Sequence, residues 1–152
     1  MMRTRAEGLG PIKRRVCFLV LAICGTFACP KVNCQTRIVP TYQRIKEKLT
    51  ATEPIYFSAV GGMQFLATNG IHAADLFACY DECAAIEDGG VKIDPVLHPS
   101  KRGRELYDLT GTLQGYTSNG SSLTISYGGG ESGWGHFSIA SRNYRCVIDH
   151  TQ

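Results

Sequence analysis

Thr112 to Asp149, TLQGYTSNGSSLTISYGGGESGWGHFSIASRNYRCVID, is the stretch that decides the fold class. Four runs of six or seven residues, Thr112 to Ser118, Ser122 to Tyr127, Gly135 to Ala140 and Asn143 to Asp149, are parted by Ser118-Asn119-Gly120-Ser121, by Gly128-Gly129-Gly130-Glu131-Ser132-Gly133 and by Ser141-Arg142. Apolar residues alternate within the runs. Leu123, Ile125 and Tyr127 share one face, as do Phe137 and Ile139, and then Tyr144, Cys146 and Ile148, the period of strands with one side buried. Short turn-forming segments between such strands predict a meander of hairpins that buries one face and closes on itself or packs on a second sheet. The expected fold is mainly β, an antiparallel meander forming a barrel.

Toward the N-terminus, Val91-Lys92-Ile93-Asp94 and Leu106 to Gly111 read as short alternating pieces around Pro95, Pro99 and the charged Lys101 to Glu105. Residues 71 to 87 carry Ala73, Ala74, Leu76, Ala78, Ala84 and Ala85, which favour helix, while Asp75 to Tyr80 could equally be extended; the helix is the expectation. Ile55 to Val60, β-branched and aromatic, predicts a strand stopped by Gly61-Gly62, and Met63 to Thr68 a second one. Ile38, Tyr42, Ile45 and Leu49 fall at helical spacing, with Arg44, Lys46, Glu47 and Lys48 opposite, so a short amphipathic helix is expected over 40 to 50.

The first 28 residues read differently. Arg3, Arg5, Lys13, Arg14 and Arg15 precede the apolar run that begins Val16-Cys17-Phe18-Leu19, which extends over 13 residues to Ala28. That is short of the roughly 20 a membrane-spanning helix needs, and Thr26-Phe27-Ala28 offers small residues where a signal peptidase reads. Residues 1–28 are expected to be a signal peptide and 29–152 a single secreted domain. Removing the leader leaves 11 basic and 12 acidic residues. A near-neutral chain has no electrostatic footprint for nucleic acid or an anionic membrane, and neither is expected as a partner.

Five cysteines remain after cleavage: Cys29, Cys34, Cys79, Cys83 and Cys146. In an oxidising compartment all are disulfide candidates, and the odd one implies a reactive thiol, an intermolecular bridge, or a partner beyond an incomplete chain. Asn119-Gly120-Ser121 makes Asn119 a glycosylation acceptor.

Catalytic patterns are wanting. The Gly-rich segment 128 to 135 lacks the Gly-Lys-Ser/Thr of a phosphate loop, and Ser132 lacks the second glycine of a nucleophile elbow because Trp134 stands there. His72, His98, His136 and His150 have no metal-ligand spacing. Asp81, Glu82, Glu87 and Asp88 read as a solvated face rather than a cation site. No enzyme activity, metal or cofactor is therefore expected. Dispersed aromatics remain, and in a small barrel a few of them can enclose a ligand while tyrosine hydroxyls fix its orientation. The candidates are Tyr56, Phe65, Tyr107, Tyr127 and Phe137.

Gly135 to Asp149, with Tyr144 two residues before Cys146-Val147, resembles the late strands of lipocalins, most of all the divergent salivary lipocalins of ticks. The order of signal segment, short helix with Tyr42 and Ile45, first strand at Ile55 to Val60 and late meander is similar to that family as well. The resemblance implies an eight-stranded barrel, a C-terminal helix, and later cysteines that pair with earlier ones. It thus implies that Cys146 finds its partner past Gln152 in a longer transcript. It further implies a non-enzymatic binder of a small hydrophobic or amine ligand, such as a biogenic amine or lipid mediator. The alternative expectation is a secreted interaction or inhibitor module that meets a host protein through surface loops.

Overall fold

A computed structural model describes residues 34–50, 52–62, 65–82, 86–100, 103, 105–129 and 135–149. A 3₁₀ turn (Gln35–Ile38) leads to helix α1 (Pro40–Lys46), strand β1 (Tyr56–Gly61) and helix α2 (Leu66–Asp81). Strands β2 (Ile86–Pro99), β3 (Tyr107–Thr117), β4 (Ser122–Tyr127), β5 (His136–Ala140) and β6 (Arg145–Asp149) follow. All six strands form one sheet in the order β2-β3-β4-β1-β5-β6. β1 is parallel to β4, and every other neighbouring pair is antiparallel.

The late runs are strands and the mainly β class holds, but the closed meander is corrected. Among the described residues the sheet is open and mixed, because β1 lies between β4 and β5. Glycines stand where the β4–β5 connection leaves and rejoins the sheet. The Gly128 N–H donates to Gly61 O at 2.8 Å, carrying the parallel β1–β4 ladder one bond past Tyr127, and β5 pairs on the far side of β1, with His136 opposite Val60. At Gly135 the backbone returns with φ +55°, where a Cβ would stand 2.1 Å from Val60 O. Glycine permits both the left-handed conformation and the close approach.

α2 corrects two further expectations. Leu66, Gly70, Ala73, Ala74, Phe77, Tyr80 and Asp81 are buried at spacings of three and four, one stripe along 66 to 81. The strand expected over Met63 to Thr68 is overridden because Leu66 to Thr68 begin this stripe; Met63 and Gln64 lie outside the described residues. Ile86, expected near the helix end, opens β2 instead. The small residues of the stripe let the helix lie close over Phe57 and Ala59 of β1, Leu123, Ile125 and Tyr127 of β4, and Ile139 of β5. Phe77 stands edge-on to Phe57 with ring centroids 6.1 Å apart. Burial of each such large side chain contributes about 1.5–3 kcal/mol.

Polar groups fix the two ends of α2. Phe65 at the N-cap position has no side-chain cap to offer. Asp108, on β3 and 1% exposed, accepts from Ala67 N at 3.0 Å and from Leu109 N at 2.9 Å. A carboxylate at the positive end of a helix satisfies a donor that the first turn leaves unpaired. Asp108→Ala is expected to lower stability by about 1–3 kcal/mol, since the Ala67 N–H in the first turn of α2 and the Leu109 N–H both lose their acceptor; a wild-type urea midpoint in this variant would remove that role.

At the other end Asp81 is buried, which corrects its reading as part of a solvated acidic face. Its Oδ1 accepts from the Ser121 hydroxyl and from Asn119 Nδ2, the latter at 2.9 Å. Ser121 Oγ in turn accepts from Ile55 N at 2.9 Å, and Asn119 Oδ1 accepts from Thr117 Oγ1 and Ser121 N. One hydrogen-bonded network, centred on the buried Asp81 and Ser121, thus joins the helix end, the β3–β4 turn and the start of β1. Glu82, the next residue, pairs with Lys46 of α1 at 3.0 Å. Tyr80 Oη donates to Tyr42 O at 3.1 Å, seating α1 over the same end of the core.

Candidate functional site

Among the described residues no helix covers the side of the sheet away from α2, and a groove lies at its edge, where β1 and β4 end. Polar residues reach it through strand alternation: in Val91-Lys92-Ile93-Asp94, Val91 and Ile93 share one face of β2, and Lys92, paired with Thr112, stands on the other. The β2–β3 register shifts between Ile93 and Leu97, and Gly111, opposite Ile93, has φ +138°. The bend leaves a groove of about 320 Å³ lined by Val60, Gly61, Lys92, Asp94, Gly111, Thr112, Ser126, Tyr127 and Gly128. Its size lies at the small end of ligand sites.

Three kinds of group meet there. Thr112 Oγ1 and Ser126 Oγ are hydrogen-bonded at 3.0 Å, and either can turn its proton or lone pair to a guest. Lys92 offers an ammonium and Asp94 a carboxylate. Val60, in the same cross-strand row, gives the apolar surface; Tyr127 borders the groove, but its side chain is buried in the core with Leu123 and Ile125. Behind Asp94, the Thr110 hydroxyl donates to its Oδ2 at 2.7 Å and lies 3.5 Å from His98 Nε2. The His98 ring packs on Phe65 with centroids 5.3 Å apart. Here the hydroxyl sits between carboxylate and imidazole, whereas an activated nucleophile needs the imidazole in the middle. This chain of contacts holds Asp94 in place. No group of three or more His, Cys, Asp or Glu able to hold a metal ion is found among the described residues.

The structure distributes the five aromatic candidates instead of gathering them. Tyr127 borders the groove from β4, with its side chain buried in the core beneath α2. Phe137 packs under α2 with centroids 5.6 Å from Phe57 and 6.2 Å from Tyr42. Phe65 packs on His98, and neither lines the groove. Tyr56 stands on the open face, 56% exposed, and Tyr107 at the start of β3, 61% exposed. Lys92, Asp94, Thr112 and Ser126 were not singled out by sequence reasoning; the alternation around Val91 and Ile93 was the available signal.

Cys34, Cys79 and Cys146 are free thiols, while Cys29 and Cys83 lie outside the described residues. Burial pushes the Cys34 thiol up, and nearby Asp75 raises it further. Burial likewise raises Asp75, an effect that the guanidinium of Arg37, 3.0 Å away, opposes. Burial also raises the Cys146 thiol. Asn119 is exposed as a residue, yet its amide serves the Asp81 network. Ser132, Trp134 and His150 lie outside the described residues, as does the signal segment. Comparison with protein-family models, with curated proteins and with solved structures gives no match for this chain.

Proposed function

We propose that the chain is a secreted, non-catalytic protein that binds a small amphipathic molecule in the groove at the ends of β1 and β4. The observation that carries this reading is the groove's mixed lining: the apolar Val60 stands in one cross-strand row with the Ser126 and Thr112 hydroxyls and the Lys92 ammonium, and the Asp94 carboxylate lines the same groove. Such a site orients a ligand that has one apolar and one polar end. Asp94, held by Thr110, suits a ligand ammonium, which favours the biogenic-amine class that the lipocalin resemblance implies. Secretion rests on the basic, apolar and small-residue order of the first 28 residues. No helix among the described residues is long and apolar enough to cross a membrane.

The test is calorimetry of the secreted protein against a panel of biogenic amines and lipid mediators, with non-denaturing mass spectrometry of the same material. Asp94→Asn and Thr112→Val are each expected to weaken amine binding about tenfold, or about 1.4 kcal/mol. Tyr107→Ala, on the exposed edge, should bind as wild type. Recovery of an empty protein that gives no heat with any member of the panel would overturn the proposal, as would amine binding that neither groove variant affects.

A further inference from the structure

Three cross-strand rows make up the open face. In strand order β2 to β6 they are Lys92, Thr112, Ser126, Val60, His136, Asp149; then Gly90, Gln114, Thr124, Ser58, Ser138, Val147; then Asp88, Tyr116, Ser122, Tyr56, Ala140, Arg145. Directly paired residues in a sheet share a face, so all eighteen positions lie on the side that α2 leaves uncovered. The four inner strands contribute no Lys, Arg, Asp or Glu to this face. Formal charge stands only on the two edge strands: Asp88 and Lys92 on β2, Arg145 and Asp149 on β6. A solvated sheet face has no reason to confine charge to its border, whereas a protein interface has a charge-poor centre and a charged rim.

The pattern is also its own complement. Consider a second copy laid on this face by a two-fold axis that runs along the strands between β4 and β1. Each row then lies over the same row reversed. Tyr56 meets the second copy's Ser122, Tyr116 its Ala140, Val60 its Ser126 and Val147 its Gly90, so these four larger side chains each face a smaller one, and His136 meets its Thr112. Thr124 meets the second copy's Ser58, hydroxyl to hydroxyl, and Gln114 meets its Ser138. At the rim Asp88 meets the second copy's Arg145, and Lys92 meets its Asp149, a residue that also has a contact within its own chain. A two-fold axis across the strands does worse. It puts Val60 on Tyr56 and Val147 on Val147, although its rim charges still match. An in-plane two-fold also maps the sheet's twist onto itself, so the two twisted surfaces nest.

We infer that this face is a self-association surface, and that two copies of the chain pack their open sheets face to face about a two-fold axis parallel to the strands. The interface is isologous, since each contact occurs twice. Five strand spacings of about 4.8 Å by five residues of about 3.3 Å give roughly 400 Å² in each copy. That is about half the standard interface, and the dimer is accordingly weak and concentration-dependent. The inference rests on the sheet register and stands apart from the ligand reading, although the second copy would cover the open mouth of the groove.

Sedimentation equilibrium of the secreted protein over a wide concentration range tests it. A reversible monomer–dimer equilibrium is expected. Asp88→Arg and Arg145→Asp should each weaken it about tenfold, and the double variant should restore it, because the exchanged charges meet again. Both positions are exposed, and circular dichroism of each variant checks that the sheet persists. A protein that stays monomeric at every concentration overturns the inference. So does a double variant no better than the singles, or rescue of Asp88→Arg by Lys92→Asp, which would place the axis across the strands.

Discussion

Gly111→Ala is expected to destabilise the fold by about 2–6 kcal/mol, and in a domain of ordinary stability that is enough to populate the unfolded chain. Two costs combine. The backbone at Gly111 has φ +138°, a conformation that a side chain disfavours. An added Cβ would also stand 2.1 Å from Lys92 O and 2.9 Å from Ile93 Cα, backbone atoms of the paired strand that no rotamer change can move aside. The β2–β3 pair has to open at the point where its register shifts, and the groove wall opens with it. Urea unfolding followed by circular dichroism measures the loss, with Gly90→Ala as a control, because nothing lies within 4 Å of a Cβ there. Equal midpoints for the two variants would show that the close approach at Gly111 carries no energetic weight.

Alkaline pH is expected to unfold the protein steeply. Tyr42, Tyr80 and Tyr127 are each at most 5% exposed, and burial pushes all three hydroxyls above their ordinary range. For Tyr80, nearby Cys146 and Cys79 add to the effect of burial. The native state therefore holds its phenolic protons at a pH where the unfolded chain releases them. Below about pH 10 both states are protonated and the tyrosines do not change stability with pH. Above it the unfolded state binds fewer protons, and stability falls by up to about 1.4 kcal/mol per pH unit for each tyrosine, until the raised native values are passed. Urea midpoints taken from neutral pH to about pH 11, with tyrosinate absorbance recorded in parallel, give the slope. Tyr127→Phe should remove one tyrosine's share. A slope unchanged in that variant would assign the alkaline transition to other groups.

How much of this was legible depends on the reach of each interaction. Strands from Thr112 onward were readable because alternation is local: Leu123, Ile125 and Tyr127 declare a buried face without reference to any neighbour. The run Ile55 to Val60 was equally plain as a strand, but its place in the sheet was not, since its partners begin with Ser122 and its buried tie to Ser121 spans 66 positions. Adjacency alone makes 128 to 135 a hairpin between β4 and β5; that β1 stands between them is a tertiary fact. Asp81 looked solvated beside Glu82, Glu87 and Asp88, and only the folded chain sets Ser121 and Asn119 against it. Of the groove, the polar side of Val91-Lys92-Ile93-Asp94 could be read in advance. Its meeting with Thr112 and Ser126 depends on the register of β2, β3 and β4, which no single segment encodes.

The position of β1 bears on how the chain reaches this structure. A strand at the centre of the sheet is made early in synthesis, yet both of its neighbours come from the last third of the chain, so the sheet cannot be completed until β5 has emerged. Helix α2 depends on local contacts and can form long before the strands that cover it. Until then its apolar stripe and both edges of β1 are exposed in the nascent polypeptide, an interval in which pairing with another unfinished chain competes with the correct closure. Placing the first strand in the middle thus makes folding a late, non-local event, and makes the C-terminal strands the segment on which it waits.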